Sequence, residues 1–369
     1  MSATVKSPFN PNYAVAPGTI LAEWLEERGM SQSELSDRMG RPKKTINEII
    51  KGKAAVTPET ACQLEAVTGV EASFWTNAER LFRERAARLA EEERLLSWLS
   101  WSRQFPVARL ARLGWMEPAT DRSGQVRALL RWLGVASPEA WEAVYVQAQT
   151  AYRKSPTFAA DPIHLGAWLR QGELQAAGIE CSPFTEVAFC SGLSEIRHLT
   201  AEPFDRVRGG LVDRCRGAGV ALVFVPELPK THVSGATRWL AQSKALIQLS
   251  LRYKTDDQLW FTFFHEAAHL LLHGKKEVIV ETGDSDDPQE REANQWAEDF
   301  LIPPADWKAF VESRRWKASD IQAFAGRLGI APGIVVGRLQ HGNHIPFSSG
   351  NHLKRPVHFG PVLGSNSNA

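Results

Sequence analysis

Between Pro17 and Leu89 apolar residues recur at helical spacing in short blocks punctuated by glycine. Pro17-Gly18 opens a first helix that runs to Arg28-Gly29. Ser31, with Glu34 three residues on, has the capping-box arrangement and starts a second helix. That helix carries Leu35 and Met39 one turn apart and stops at Gly40. A third spans Pro42–Ile50, and Thr57-Pro58 begins a fourth with a cap and a proline at the first helical position. Ala72–Leu89 reads as a longer, charge-rich helix. Residues 90–210 keep the helical pattern and are rich in tryptophan (Trp98, Trp101, Trp115, Trp132, Trp141, Trp168). The period then changes. Val220–Leu228 and Ala245–Leu251 read as strands, with a third over Gly235–Leu240. Thr255–His273 is a helix apolar on nearly every side, which predicts burial. A loop rich in Gly and Asp follows, then a helix from Pro288 to Leu301, stopped by Pro303-Pro304. Two short helices, Ser319–Leu328 and Pro332–Leu339, complete the pattern.

The expected fold class is therefore α+β and mostly helical. Its parts are a flexible N-terminus (1–15), an all-α helix-turn-helix domain (16–89) and a helical connecting region (90–210). A domain with a small sheet (211–346) and a disordered tail (347–369), rich in Gly, Ser and Asn, follow. A chain of 369 residues is long enough for two or three such cores. With 43% hydrophobic and 23% charged residues it reads as an ordinary globular protein. No stretch approaches the roughly 20 apolar residues of a membrane span, and no basic segment leads into an apolar run. The expected location is the cytoplasm. Cys62, Cys181, Cys190 and Cys215 lie far apart and form no C-x-x-C pair, which fits free thiols in a reducing compartment.

The formal net charge is only +1, so any attraction to nucleic acid must be local. Residues 38–53 supply it: Arg38, Arg41, Lys43, Lys44, Lys51 and Lys53 stand against the single acid Glu48. In a helix-turn-helix the second helix enters the major groove and its N-terminal residues meet base edges. That places Lys43, Lys44, Thr45 and Asn47 toward bases, and Arg41, Lys51 and Lys53 toward phosphates. The stretch from Pro17 to Trp75, with S-Q-x-E-L at 31–35, K-G-K at 51–53 and T-P-E-T-A at 57–61, resembles the Cro/cI-type helix-turn-helix of HigA-type antitoxins. The resemblance implies a homodimer on a double-stranded operator, autoregulation and a partnered toxin.

His265-Glu266-Ala267-Ala268-His269 is an H-E-x-x-H motif. On a helix the two imidazoles lie one turn apart on one face and can share one Zn2+, with Glu266 placed to act on a water as general base. Two histidines leave room for a third ligand. In the next helix Ala293, Trp296, Ala297, Phe300 and Leu301 form the apolar face. At about 100° per residue Glu290 falls about 50° from its centre and Glu292 about 110° away. Glu290 is therefore the expected inward ligand. Its competing role is capping-box partner of Asp287, and the competing ligand is Glu292. A helical His273 falls a further turn away and is read as a C-terminal histidine favoured by the helix dipole.

The segments FFHEAAHLLLHGK and EREANQWAEDFLIP, with GVALVFVPELP before and GIAPGIVVGRLQ after, resemble the ImmA/IrrE family of metallo-endopeptidases over roughly 211–345. The resemblance implies a zincin-like domain with His265, His269 and Glu290 as metal ligands and Glu266 as catalytic base. Trp296 stands where that family usually has Phe. The implied function is a DNA-binding regulator with a zinc-dependent endopeptidase that cleaves a repressor or antitoxin. The alternative is a HigA-type regulator whose zincin fold is a sensor or interaction module without proteolysis. Tyr253, Arg238, His341 and His344 are unranked candidates for stabilising the oxyanion.

Overall fold

The computed structural model describes residues 13–146, 161–250, 252–273, 279–281 and 287–358. Most of the N-terminus expected to be flexible, most of the Gly- and Asp-rich loop and the last eleven residues lie outside them. The chain falls into two compact units. The first takes residues up to Ser100 with Ala119–Arg127; the second takes Trp101–Pro118 and everything from Ala128.

The first unit holds helices α1 (Pro17–Glu27), α2 (Gln32–Met39), α3 (Lys43–Ile50), α4 (Pro58–Thr68) and α5 (Ala72–Ser97). Each short helix starts or stops where its local chemistry dictates. The Ser31 hydroxyl accepts from the Glu34 N–H, and Gly40 ends α2 in the left-handed region at φ 64°. Thr57 caps α4 in the same way. Leu21, Leu25, Leu35, Met39, Ile46, Ile49, Leu64 and Trp75 form one core between the helices. Gly18 lets α1 touch α3, because a Cβ there would lie 2.0 Å from the Ile49 carbonyl oxygen. Glu79 is buried, and its carboxylate accepts the Val56 N–H at 3.1 Å while pairing with Arg83 at 2.7 Å.

The second unit is built on a four-stranded sheet. Its strands are β1 (Val220–Phe224), β2 (Gly235–Ala241), β3 (Lys244–Leu249) and β4 (Ile279–Glu281), in the order β1-β3-β2-β4. β1 runs parallel to β3; β2 pairs antiparallel with both β3 and β4. Side chains alternate between the two faces, and both faces are covered. On one side Leu222, Phe224, Ile247 and Leu249 pack with Trp260, Phe263 and Phe264 of α9 (Asp256–Leu272). On the other, Ala221, Val223, Ala236 and Leu246 pack with Trp168 of α6 (Pro162–Ala177). Trp168 donates its indole N–H to the Val225 carbonyl at 2.9 Å and accepts from the Gln248 amide at 2.7 Å through its own carbonyl. Trp132 and Trp141 are buried in the same core, with Trp101 and Trp115 packed against it, whereas Trp98 belongs to the first unit. Helices α7 (Glu186–Leu199) and α8 (Phe204–Gly217) join the core on the α9 side. Burying each large aromatic here is worth on the order of 2–3 kcal/mol.

Four more helices follow: α10 (Pro288–Leu301), α11 (Pro304–Ser313), α12 (Ala318–Leu328) and α13 (Pro332–His341). Arg197 reaches from α7 to donate to the carbonyls of Phe300, Leu301 and Leu328, satisfying the C-terminal ends of α10 and α12. The tail expected to be disordered from residue 347 is ordered through residue 358. Lys354 Nζ lies 2.6 Å from Asp257 Oδ2 and 2.7 Å from Gln340 Oε1, and Val357 is buried. Its composition is that of a loose tail, but buried acids at the start of α9 bind it. No helix among the described residues is long and apolar enough to cross a membrane.

Candidate metal centre and nucleic-acid interface

Asp256 and Asp257 in the first turn of α9 suit its positive end, and the helix runs through the core to His273. His265, Glu266 and His269 are buried on it. α10 packs against α9, and both helices bury small residues, Ala267 and Ala268 on α9 and Ala293 and Ala297 on α10. Along the seam Phe300 stacks on Trp296 and meets the Phe264 ring at a tilt. That approach brings Glu290, in the first turn of α10, to the two imidazoles. Asp287 caps α10 by accepting the Gln289 N–H through its side chain.

His265 Nε2 and His269 Nε2 lie 2.9 Å apart. Glu290 Oε2 is 3.1 Å from His265 Nε2, and Glu290 Oε1 is 3.5 Å from His269 Nε2. Two ligands of one tetrahedral ion, each about 2.0–2.1 Å from it, stand about 3.3 Å apart. The three side chains thus present two imidazole lone pairs and a carboxylate at the spacing of a single ion, and the donor set suits a zinc-like metal. Burial pushes the Glu290 carboxyl up, but hydrogen bonds and attraction from both histidines outweigh it and hold the group at about 2. Burial depresses His269, which favours the neutral ring a metal needs.

Glu266 points from α9 to β2. Its backbone carbonyl accepts from the Thr237 hydroxyl at 3.1 Å. A Cβ on Gly235 would stand 2.5 Å from Glu266 Oε1, so glycine at that position makes room for the carboxylate. Behind this cluster, His265 Nδ1 lies 2.8 Å from Asn294 Oδ1, and His269 Nδ1 lies 2.8 Å from His273 Nδ1. Asn294, Gly235 and Thr237 are site residues that sequence reasoning missed. Only Asn294 sat inside a motif already singled out. His273 is the residue at which α9 ends: its backbone is extended, at φ −112° and ψ 156°, and its ring lies beside that of His269, four residues earlier. Glu292 is not in the cluster of His265, His269 and Glu290; it reaches His273 at 3.3 Å.

The four candidate oxyanion donors scatter. Tyr253 lines a groove with Ser234, Gln258 and Thr262, one helical turn before Glu266. Arg238 pairs with Glu173, on the far face of the sheet. The His341 ring meets Phe347, and the His344 ring meets Trp307 and Trp316.

In the first unit Ile46 and Ile49 turn inward from α3, leaving Lys43 and Lys44 exposed and Thr45 and Asn47 half-buried. Lys51 and Lys53 are exposed just beyond the helix. Lys44 is 3.9 Å from Glu48 and largely solvated. Arg41 is tied to α4 instead, donating to Gln63 and pairing with Glu59 at 3.2 Å.

Residues 21–75 match the family model described as helix-turn-helix, and residues 221–340 match the IrrE N-terminal-like domain. The chain belongs to the helix-turn-helix regulators and carries an IrrE N-terminal-like domain in its C-terminal half. It is 34% identical over 97 residues to the "Uncharacterized HTH-type transcriptional regulator YddM" of Escherichia coli K12, covering 26% of this chain and 88% of that protein. It is 35% identical over 65 residues to the "Virulence-associated protein A" of Dichelobacter nodosus, covering 17% of this chain and 64% of that one. Solved structures that resemble it include an addiction module antidote protein of a HigA family from Coxiella burnetii (26% identity, 23% of this chain, 94% of that one, TM-score 0.22). Another is the antitoxin GraA (26% identity, 23% of this chain, 92% of that one, TM-score 0.22).

Proposed function

We propose that this protein is a cytoplasmic DNA-binding transcriptional regulator whose C-terminal domain is a zinc-dependent endopeptidase acting on a regulatory protein, a repressor or antitoxin. The observation that carries the reading is the convergence of His265, His269 and Glu290 beside the buried Glu266. His265, His269 and Glu290 hold the ion. A bound zinc supplies Lewis acidity that polarises a peptide carbonyl and makes water a better acid. Glu266 takes a proton from the attacking water and returns it to the leaving amine. Gly235 and Thr237 set where its carboxylate stands. Buried apolar walls around α9 keep bulk water from the reacting atoms and strengthen each charge there.

The N-terminal unit binds a double-stranded operator as a homodimer. Lys43, Lys44, Thr45 and Asn47 face base edges, and Lys51 and Lys53 face phosphates. Arg41, anchored by Glu59 and Gln63, contacts a phosphate while fixing α3 against α4.

The test is Glu266→Gln in the full chain, measured for bound zinc, operator binding and cleavage of the proteins encoded beside it. The variant is expected to keep stoichiometric zinc and operator affinity while cleavage falls about 10²- to 10⁴-fold. A zinc-loaded wild-type chain that cuts none of those proteins refutes the peptidase and leaves a regulator with a metal-bearing sensor domain.

A further inference from the structure

His273 and Glu292 are left over once the three metal ligands and Glu266 have been assigned. The His273 side chain is only 4% exposed, and its ring is wedged between a buried histidine and a carboxylate. Nδ1 lies 2.8 Å from His269 Nδ1, and Nε2 lies 3.3 Å from Glu292 Oε2. Two facing ring nitrogens bond only if one carries a proton and the other does not. When His269 Nε2 gives its lone pair to a metal, the neutral ring carries its proton on Nδ1. His273 Nδ1 must then accept, which puts the His273 proton on Nε2, where Glu292 receives it. Every donor along the line meets an acceptor, and only this order of protons allows it.

We propose, on the reading that His265, His269 and Glu290 bind a metal, that His273 and Glu292 are a positioning pair for that ion. Glu292 sets the His273 tautomer, and His273 sets the tautomer and ring angle of His269. The two ligands are thus backed differently. His265 leans on the neutral amide of Asn294, while His269 leans on a line ending in a carboxylate. A ligand backed by negative charge is the stronger donor. The i,i+4 spacing sets the His273 ring one turn beyond His269, and α10 brings Glu292 to its far nitrogen. Glu292, 62% exposed in its side chain, packs against little else, so it can be changed without disturbing the core.

The experiment titrates zinc into the metal-free full chain against a competing chelator and records the visible absorption of the cobalt-substituted form. His273→Ala and Glu292→Ala are each expected to weaken metal affinity about 10- to 100-fold and to alter the cobalt bands. The melting temperature of the metal-free chain stays the same for Glu292→Ala. His273→Gln, whose amide oxygen can accept from His269, is expected to recover part of the loss. Glu292→Gln keeps an acceptor but not the charge and falls between wild type and Glu292→Ala. Wild-type affinity in both alanine variants overturns the pair. So does an affinity loss in His273→Ala that disappears when compared at equal metal-free stability, with Glu292→Ala unaffected. A wild-type chain that binds no metal, or a Glu290→Ala variant that binds as tightly as wild type, refutes the metal site itself.

Discussion

Asp256 offers a sharp test of the electrostatics at the base of α9. It is 3% exposed. One oxygen accepts the Arg355 and Asp257 N–H groups, each at 2.9 Å. The other is buried with no hydrogen-bond partner among the described residues. Burial is the main cause that raises its carboxyl from 3.8 to about 6; the Arg355 N–H opposes the rise, and the Asp257 charge adds to it. A carboxyl with a raised folded value is harder to ionise in the folded chain than in the unfolded one. Its ionisation therefore costs stability above pH 6, and the cost fades as pH falls from 6 toward 3.8. Two pKa units correspond to about 3 kcal/mol. Asp256→Asn keeps the oxygen that accepts both N–H groups and removes the charge. It also introduces an amide N–H₂ with no assigned partner and gives up about 0.5 kcal/mol of helix-dipole attraction. The net expectation is a gain of about 1–2 kcal/mol at pH 8, shrinking to zero or a slight loss near pH 4.5. Urea unfolding of both chains across this pH range, with chelator present so that metal binding does not enter, reads the difference directly. A difference that does not change with pH, or a loss at pH 8, refutes the reasoning.

Three further substitutions probe how the sites are held. Gly235→Ala sets a methyl 2.5 Å from Glu266 Oε1, so the carboxylate must shift by about 1 Å. Zinc content should hold while any cleavage falls about 100-fold, since an ångström of misplacement is worth that much; unchanged turnover argues that Glu266 is not positioned by β2. Gly18→Ala drives a methyl into the Ile49 carbonyl and should destabilise the first unit by about 1–3 kcal/mol, with operator affinity lost on warming before zinc is released. Arg197→Met removes the donor to three carbonyls and should destabilise the second unit by about 2–3 kcal/mol, seen as a lower urea midpoint with an unchanged slope.

Local patterns in the chain were enough to place most of the elements. Capping residues, glycine stops and the 3.6-residue period marked α1 to α4, because those signals act within one turn of the helix they describe. The H-E-x-x-H spacing located two imidazoles, since a helix alone sets residues four apart on one face. The apolar stripe of α10 singled out Glu290 over Glu292, because an amphipathic helix has only one way to face a core. Tertiary structure decided what lay beyond a single element. The sheet's far face is closed by α6, whose Trp168 meets Val225 across 57 residues. Residues 347–358 are ordered because Asp256 receives the Arg355 N–H from 99 residues away. His273 met Glu292 only because α10 lies alongside the end of α9, and Arg41 turned from solvent to α4 because Glu59 and Gln63 stood there. Sequence periodicity reports which side of an element must be buried. It carries no information about which distant element will bury it, because that choice is made by packing and by the pairing of buried charges once the chain has collapsed.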